Sequence, residues 1–237
     1  MKRTILLALA TLMSLPLATP PTPLMAESQE MNMRARMGDS KDRARFHKLV
    51  DDSAAVYSAV VRGSHGEVPA SVLSNARCVA IFPNVITGAL LVGGTHGNGL
   101  AMCKSSDNTW STPGAISINQ ASLGLQAGAK SADLVFFFQN NDAVQALRRG
   151  RFALGTDVSA VAGNFDSSID TSRAGVIAYS RSEGLFAGAS VNGGTMSKDD
   201  EAITSYYGKA VDYTALLEGR ETPDTTRYSQ RLTKLLP

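Results

Sequence analysis

Few side chains in this 237-residue chain could carry chemistry. His47, His65 and His96 are the only imidazoles, Cys78 and Cys103 the only thiols, and Asp199-Asp200-Glu201 the only run of three acids. None of the histidines belongs to a recognisable nucleophile pattern. Gly188-Ala189-Ser190-Val191-Asn192 lacks the second glycine of a nucleophile elbow, and Gly38-Asp39-Ser40 falls where a helix cap is expected, a place where Asp and Ser are ordinary. The acid triplet lacks the alternating ligand spacing of a calcium loop and reads as a solvated helix start. No histidine stands at zinc-ligand spacing from either cysteine. Gly94, Gly97 and Gly99 are not in the order of a phosphate-binding loop, no lysine follows them, and no βαβ unit surrounds them. The expectation is a binding module with no catalytic residues, no metal and no cofactor, a hydrolase being the least favoured reading.

Basic residues form two local clusters. On a helical wheel Arg34, Lys41, Arg45 and Lys48 fall within about 60° of one another, while Arg36 and Arg43 lie on the opposite side. From Arg34 to Lys48 six basic residues stand against Asp39 and Asp42. A helix with such an edge suits an anionic bilayer, each cation near the surface contributing about 1 kcal/mol. The second cluster is Arg148, Arg149 and Arg151 around Gly150, at the expected end of a helix, where guanidinium groups complement the dipole and also fit phosphate oxygens. Phe152 beside them is the aromatic that would enter the interface. For both clusters the alternative is an ordinary solvated edge.

The elements that must position these residues follow from periodicity and punctuation. Residues 1–26 carry the charged, apolar and small-residue regions of a secretory signal peptide. Residues 27–38 read as a loosely ordered leader and 39–237 as one domain. Without Lys2 and Arg3 the 23 basic residues become 21, equal to the 21 acidic ones, so no global basic field for nucleic acid exists. Export makes a Cys78–Cys103 disulfide a candidate, against two small buried residues on separate strands.

Asp39 or Ser40 caps a helix to about Val61 whose apolar face is Phe46, Leu49, Ser53, Tyr57 and Val60, flanked by Val50. Pro69 opens a short helix through Ala76. Eight strands are expected, at 78–82, 88–93, 99–104, 115–127, 134–139, 155–160, 174–180 and 185–192. Asn140 or Asn141 caps a helix through Leu147 that ends at Gly150, and 196–207 and 224–236 are further helices. The fold class is α+β: a β-rich antiparallel sheet, sandwich or barrel-like, with an N-terminal amphipathic helix and C-terminal helices.

Ala80-Ile81-Phe82-Pro83, the glycine hairpin Gly93 to Gly99, Trp110-Ser111 with Pro113, Gly124-Leu125-Gln126 with Gly128, Asp133-Leu134-Val135 and Gly184-Leu185-Phe186-Ala187-Gly188 occur in an order that resembles the SYLF domain family. The resemblance covers about Leu49 to Gly208. It implies a lipid-binding domain, known in eukaryotic members for phosphoinositide binding and for membrane or actin association, and found alone behind signal peptides in bacteria. An N-terminal amphipathic segment touches the membrane in eukaryotic members, which agrees with the position of the first basic cluster. Where many members carry Lys or Arg this chain has Ile86-Thr87 and Asn98. The expected partner is therefore an anionic phospholipid surface in general, reached from the periplasm or after secretion by peripheral association. A cell-envelope scaffold holding a protein partner is the alternative, with Tyr206-Tyr207 and Phe136-Phe137-Phe138 as its candidate contacts.

Overall fold

The computed structural model describes residues 23–62, 68–162, 174–181, 193–223 and 226–237, with backbone alone for 23–39, 89–92, 122–130, 162, 181 and 226–227. The chain divides into two compact units, Met1–Gly38 and Asp39–Pro237. Helix α1 runs over Pro23–Val61. Residues 27–38, expected as a loose leader, thus have helical backbone, and Asp39 and Ser40 lie inside the helix and not at its start. The sequence there has no apolar period, but Met, Ala, Glu, Gln and Arg are strong helix formers, and propensity suffices where no face is demanded.

In the second unit, helix α2 (Ala70–Asn75) follows, with Pro69 at its N-cap. Strands β1 (Cys78–Cys103) and β2 (Gly114–Phe138) then pair antiparallel from Cys78↔Phe138 to Ala101↔Gly114, with irregularities near Pro83 and Leu90. Five of the expected short strands are thus the ends and middles of two long ones, because glycines here bend the ribbon without ending it. A straight strand of the 26 residues of β1 would span about 85 Å. Instead the Cα atoms of Cys78 and Cys103 stand 4.0 Å apart and their Sγ atoms are bonded. The ribbon is doubled back on itself. Along the fold the Thr87 and Thr95 hydroxyls share a hydrogen bond of 2.9 Å, and the Lys104 amide donates to the Arg77 carbonyl at 2.7 Å. Gly99 lies so close to the returning half that a Cβ there would sit 2.4 Å from the Ile81 carbonyl oxygen.

Helix α3 (Asn141–Arg149) is capped as its sequence requires: the Asn140 side chain accepts from the Ala143 amide, and Gly150 closes it at φ 78°. Three short strands follow, β3 (Arg151–Ala153), β4 (Ala160–Ala162) and β5 (Val176–Arg181). The strand expected at 155–160 reduces to the single residue Ala160, and 185–192 lies outside the described residues. Residues 195–198, mostly expected to be helical, form β6 (Thr195–Lys198). Their main chain is claimed by Ile116–Asn119 on one side and Arg151–Ala153 on the other. Tertiary pairing outweighs local preference there.

The six described strands form one sheet in the order β3-β6-β2-β5-β4, with β1 beside β2. It is antiparallel except for β4 with β5. Helices α4 (Asp200–Tyr207), α5 (Tyr213–Leu217) and α6 (Thr226–Thr233) complete an α+β fold with helices toward both ends of the chain.

Both faces of the sheet are covered at its Phe136–Phe138 end. Phe136, Phe137 and Phe138 have no exposed surface, and their alternation sends Phe137 to Tyr57 of α1 and Phe136 and Phe138 to Phe82 and Phe152. On α1 the residues Phe46, Val50, Ser53, Val56, Tyr57 and Val60 are buried. Phe46 stacks on Tyr206 at 3.7 Å, His47 stacks on Tyr228 at 4.1 Å, and the Tyr228 hydroxyl bonds the Asp51 carboxylate. Tyr206-Tyr207 and the phenylalanine run are thus internal ties and offer no outward surface to a partner.

Three outcomes test this architecture. Reducing the disulfide should lower the unfolding free energy in urea by about 3 kcal/mol, since the free chain regains a loop spanning 25 residues; an unchanged midpoint contradicts a closed ribbon. Gly99→Ala should cost about 1–3 kcal/mol, because the ribbon halves must part. Burial pushes the Tyr57 hydroxyl up to about 12 and holds Tyr207 and Tyr213 well above the ordinary 10.0. The unfolded chain therefore loses these protons first, so their contribution to stability is whole below about pH 10 and is lost as the pH rises toward 12. Phenolate absorbance of the native protein should lag behind that of the unfolded protein over this window.

Candidate functional site

The exposed edge of α1 holds three of the four cations expected there. Lys41, Arg45 and Lys48 face solvent, and the side chain of Arg34 lies outside the described residues. Arg45 pairs with Asp42 at 3.3 Å and Lys48 with Asp52, both along the helix. Asp52 occupies the same edge as the cations, and Asp51, facing α6, is engaged by Arg231 at 3.5 Å. From Lys41 to Asp52 four basic residues meet three acids, so this stretch is much closer to neutral than the Arg34–Lys48 span suggests. The ion pairs are solvent-exposed, with 70% and 74% of the Arg45 and Lys48 side chains accessible. Such pairs are worth at most about 1 kcal/mol, so either cation can exchange its partner.

Beneath this edge lies an open cleft of about 490 Å³. One wall is α1, with Asp42, Arg45, Lys48 and Asp52; the other is the start of α4, with Asp199, Glu201 and Ser205. The floor is mostly apolar, from Phe46, Leu49 and Ala202 on the helices to Gly99, Ala115 and Ile116 on the ribbon, where Asn98 adds one polar side chain. Asp199 caps α4 by accepting from the Ala202 amide at 2.9 Å, and Asp200 is paired with Lys198 at 2.8 Å. Glu201 is exposed and has no ion-pair partner among the described residues. The acid triplet is therefore a helix start, as its composition suggested, but one that borders a cavity. Nothing in the sequence flags that cavity, since its walls come from three segments joined only by the folded ribbon.

The arginine cluster is divided by the fold. Arg148 points inward: 18% of its side chain is exposed, it lies 3.8 Å from Glu218, and it donates to the Lys104 carbonyl. Its Nε is buried without a partner. Arg149 and Arg151 remain exposed on either side of Gly150. Phe152, expected to enter a membrane interface, is 2% exposed and meets Phe138. One residue further along a strand the side chain reverses face, which sends Phe152 into the core while Arg151 points out. The Phe152 ring is thus part of the core, and the Arg148 guanidinium is partly buried beside Glu218.

The two described imidazoles have separate partners. His47 is stacked on Tyr228, His96 shares a 2.7 Å hydrogen bond with Asn119, and His65 lies outside the described residues. Gly188 to Asn192 likewise falls outside them. Among the described residues no group of three or more His, Cys, Asp or Glu is placed to hold a metal ion, and no helix is long and apolar enough to cross a membrane.

Residues 119–236 match the family described as Ysc84, Las17-binding protein actin regulator. LAS seventeen-binding protein 3 of Saccharomyces cerevisiae is 34% identical over 171 residues, 69% of this chain and 37% of its own. Protein YSC84 of the same yeast is 33% identical over 168 residues, 68% of this chain and 36% of its own. The human SH3 domain-containing YSC84-like protein 1 is 30% identical over 169 residues, 69% of this chain and 48% of its own. The chain thus spans less than half the length of these curated relatives. No solved structure matches it. The ordered motifs and these relatives agree: the chain carries a Ysc84/SYLF family domain.

Proposed function

We propose that the unit Asp39–Pro237 is a non-catalytic module that docks peripherally on anionic phospholipid surfaces of the cell envelope after export, using exposed cations and no inserted helix face. The observation that carries this reading is the clustering of Lys41, Arg45 and Lys48 on one exposed edge of α1. The apolar face of α1 beside that edge is already spent on the core, through Phe46, Val50, Tyr57 and Val60. Contact by this stretch is therefore electrostatic. Three cations at about 1 kcal/mol each give weak, reversible association, which Arg149 and Arg151 can supplement.

A protein partner is the competing reading, and it has its own support: the matched family and its yeast relative are described as Las17-binding. A single comparison separates the two. The triple variant Lys41→Glu, Arg45→Glu, Lys48→Glu should lose sedimentation with phosphatidylglycerol vesicles while keeping its unfolding transition, and unchanged sedimentation removes the α1 edge from the account. The division of the arginine cluster gives a second test. Arg148→Ala should cost about 1–2 kcal/mol of stability, while Arg149→Ala and Arg151→Ala should stay within about 0.5 kcal/mol and act on vesicle binding alone.

A further inference from the structure

The cleft under the α1 edge has a charge pattern that a simple anion does not satisfy. Four carboxylates border it, those of Asp42, Asp52, Asp199 and Glu201, against two cations, Arg45 and Lys48. Once Asp42 and Asp52 are counted with their own cations and Asp199 with the α4 amide, Glu201 remains as a carboxylate without an ion-pair partner among the described residues, lining the same cleft, with its mostly apolar floor, as Arg45 and Lys48. A ligand complementary to all three features carries an ammonium with N–H donors, a phosphate and an apolar tail. The volume of about 490 Å³ is within the range of roughly 300–1,000 Å³ typical of ligand pockets.

We propose that this cleft receives the headgroup of a phosphoethanolamine lipid. The ammonium donates to the Glu201 carboxylate, the phosphate accepts from the N–H donors of Arg45 and Lys48 that their pairs with Asp42 and Asp52 leave over, and the first acyl carbons lie on Phe46, Leu49 and Ile116. Each pair is solvent-exposed and made through a single nitrogen, so both cations keep N–H donors for the phosphate. The inference rests on the membrane-docking reading of the same edge, and adds to it a specificity that anionic attraction alone does not have.

The test uses the whole protein with dihexanoyl phosphatidylethanolamine, dispersed as monomers and followed by calorimetric titration. Controls are the dihexanoyl phosphatidylglycerol and phosphatidylcholine analogues and free phosphoethanolamine. The ethanolamine lipid should bind tightest, and Glu201→Gln should weaken it about tenfold, the usual worth of a hydrogen bond to a charged group. The glycerol lipid should bind Glu201→Gln and the parent protein equally, Glu201→Asp should retain most of the affinity, and the unfolding transition should not move. Equal binding of the ethanolamine and glycerol lipids, or an unaltered Glu201→Gln affinity, overturns the proposal. Free phosphoethanolamine binding as well as the lipid overturns its acyl part. Vesicles of phosphatidylglycerol keep the two readings apart: if they still bind while dihexanoyl phosphatidylethanolamine does not, only the headgroup inference falls, and if neither binds, both fall.

Discussion

Every other feature of the second unit depends on the two ends of β1 meeting. With 26 residues in β1 and 25 in β2, the paired ribbon is far too long to lie flat on so small a domain. Its doubling brings Cys78 to Cys103 and sets Gly99 against Ile81. It also turns the five expected short strands into one continuous platform. The free-energy logic is that of a closed loop: cross-linking removes conformations from the unfolded chain, while the folded ribbon pairs β1 with β2 from Cys78↔Phe138 to Ala101↔Gly114 with two irregularities. A side chain larger than hydrogen at Gly99 would hold the two halves apart.

On that platform the aromatic residues decide which surfaces remain. Phe137 and Tyr57 join the ribbon to α1, Phe46 and Tyr206 join α1 to α4, and His47 with Tyr228 joins α1 to α6. Aromatic pairs of this kind add about 0.5–1.5 kcal/mol each beyond the area they bury. Their effect on function is indirect and large. By consuming the apolar face of α1 they leave its charged edge as the part of the helix open to solvent, and by spacing α1 from α4 they create the cleft between them.

The sequence was informative where a local rule fixes a local structure. Asn140 and Gly150 mark the limits of α3 because an N-cap oxygen and a left-handed glycine are needed at just those places. The helical period predicted the buried face of α1, and motif order was enough to identify the family. It was silent where distant segments decide. No spacing rule could show that three separate strands along β1 are one, that 195–198 would be taken into the sheet, or that Arg148 would turn toward Glu218 while Arg149 stays outside. The basic edge was visible, but its neutralisation by Asp52 lies one turn beyond the span that drew the eye. The cleft has no sequence signature at all.

If docking is electrostatic, with the apolar face of α1 committed to the core, ionic strength must control it. Raising salt from about 0.01 M to about 1 M shortens the screening length from about 30 Å to about 3 Å. The measurement is the partition of the protein onto phosphatidylglycerol vesicles across that range, with hydrogen exchange of the α1 amides followed on the same samples. The account predicts that partition falls steeply to background while the amides of α1 keep equal protection with and without vesicles. Partition that survives high salt, together with changed exchange in α1, would show that the helix leaves the core to insert, and would contradict it.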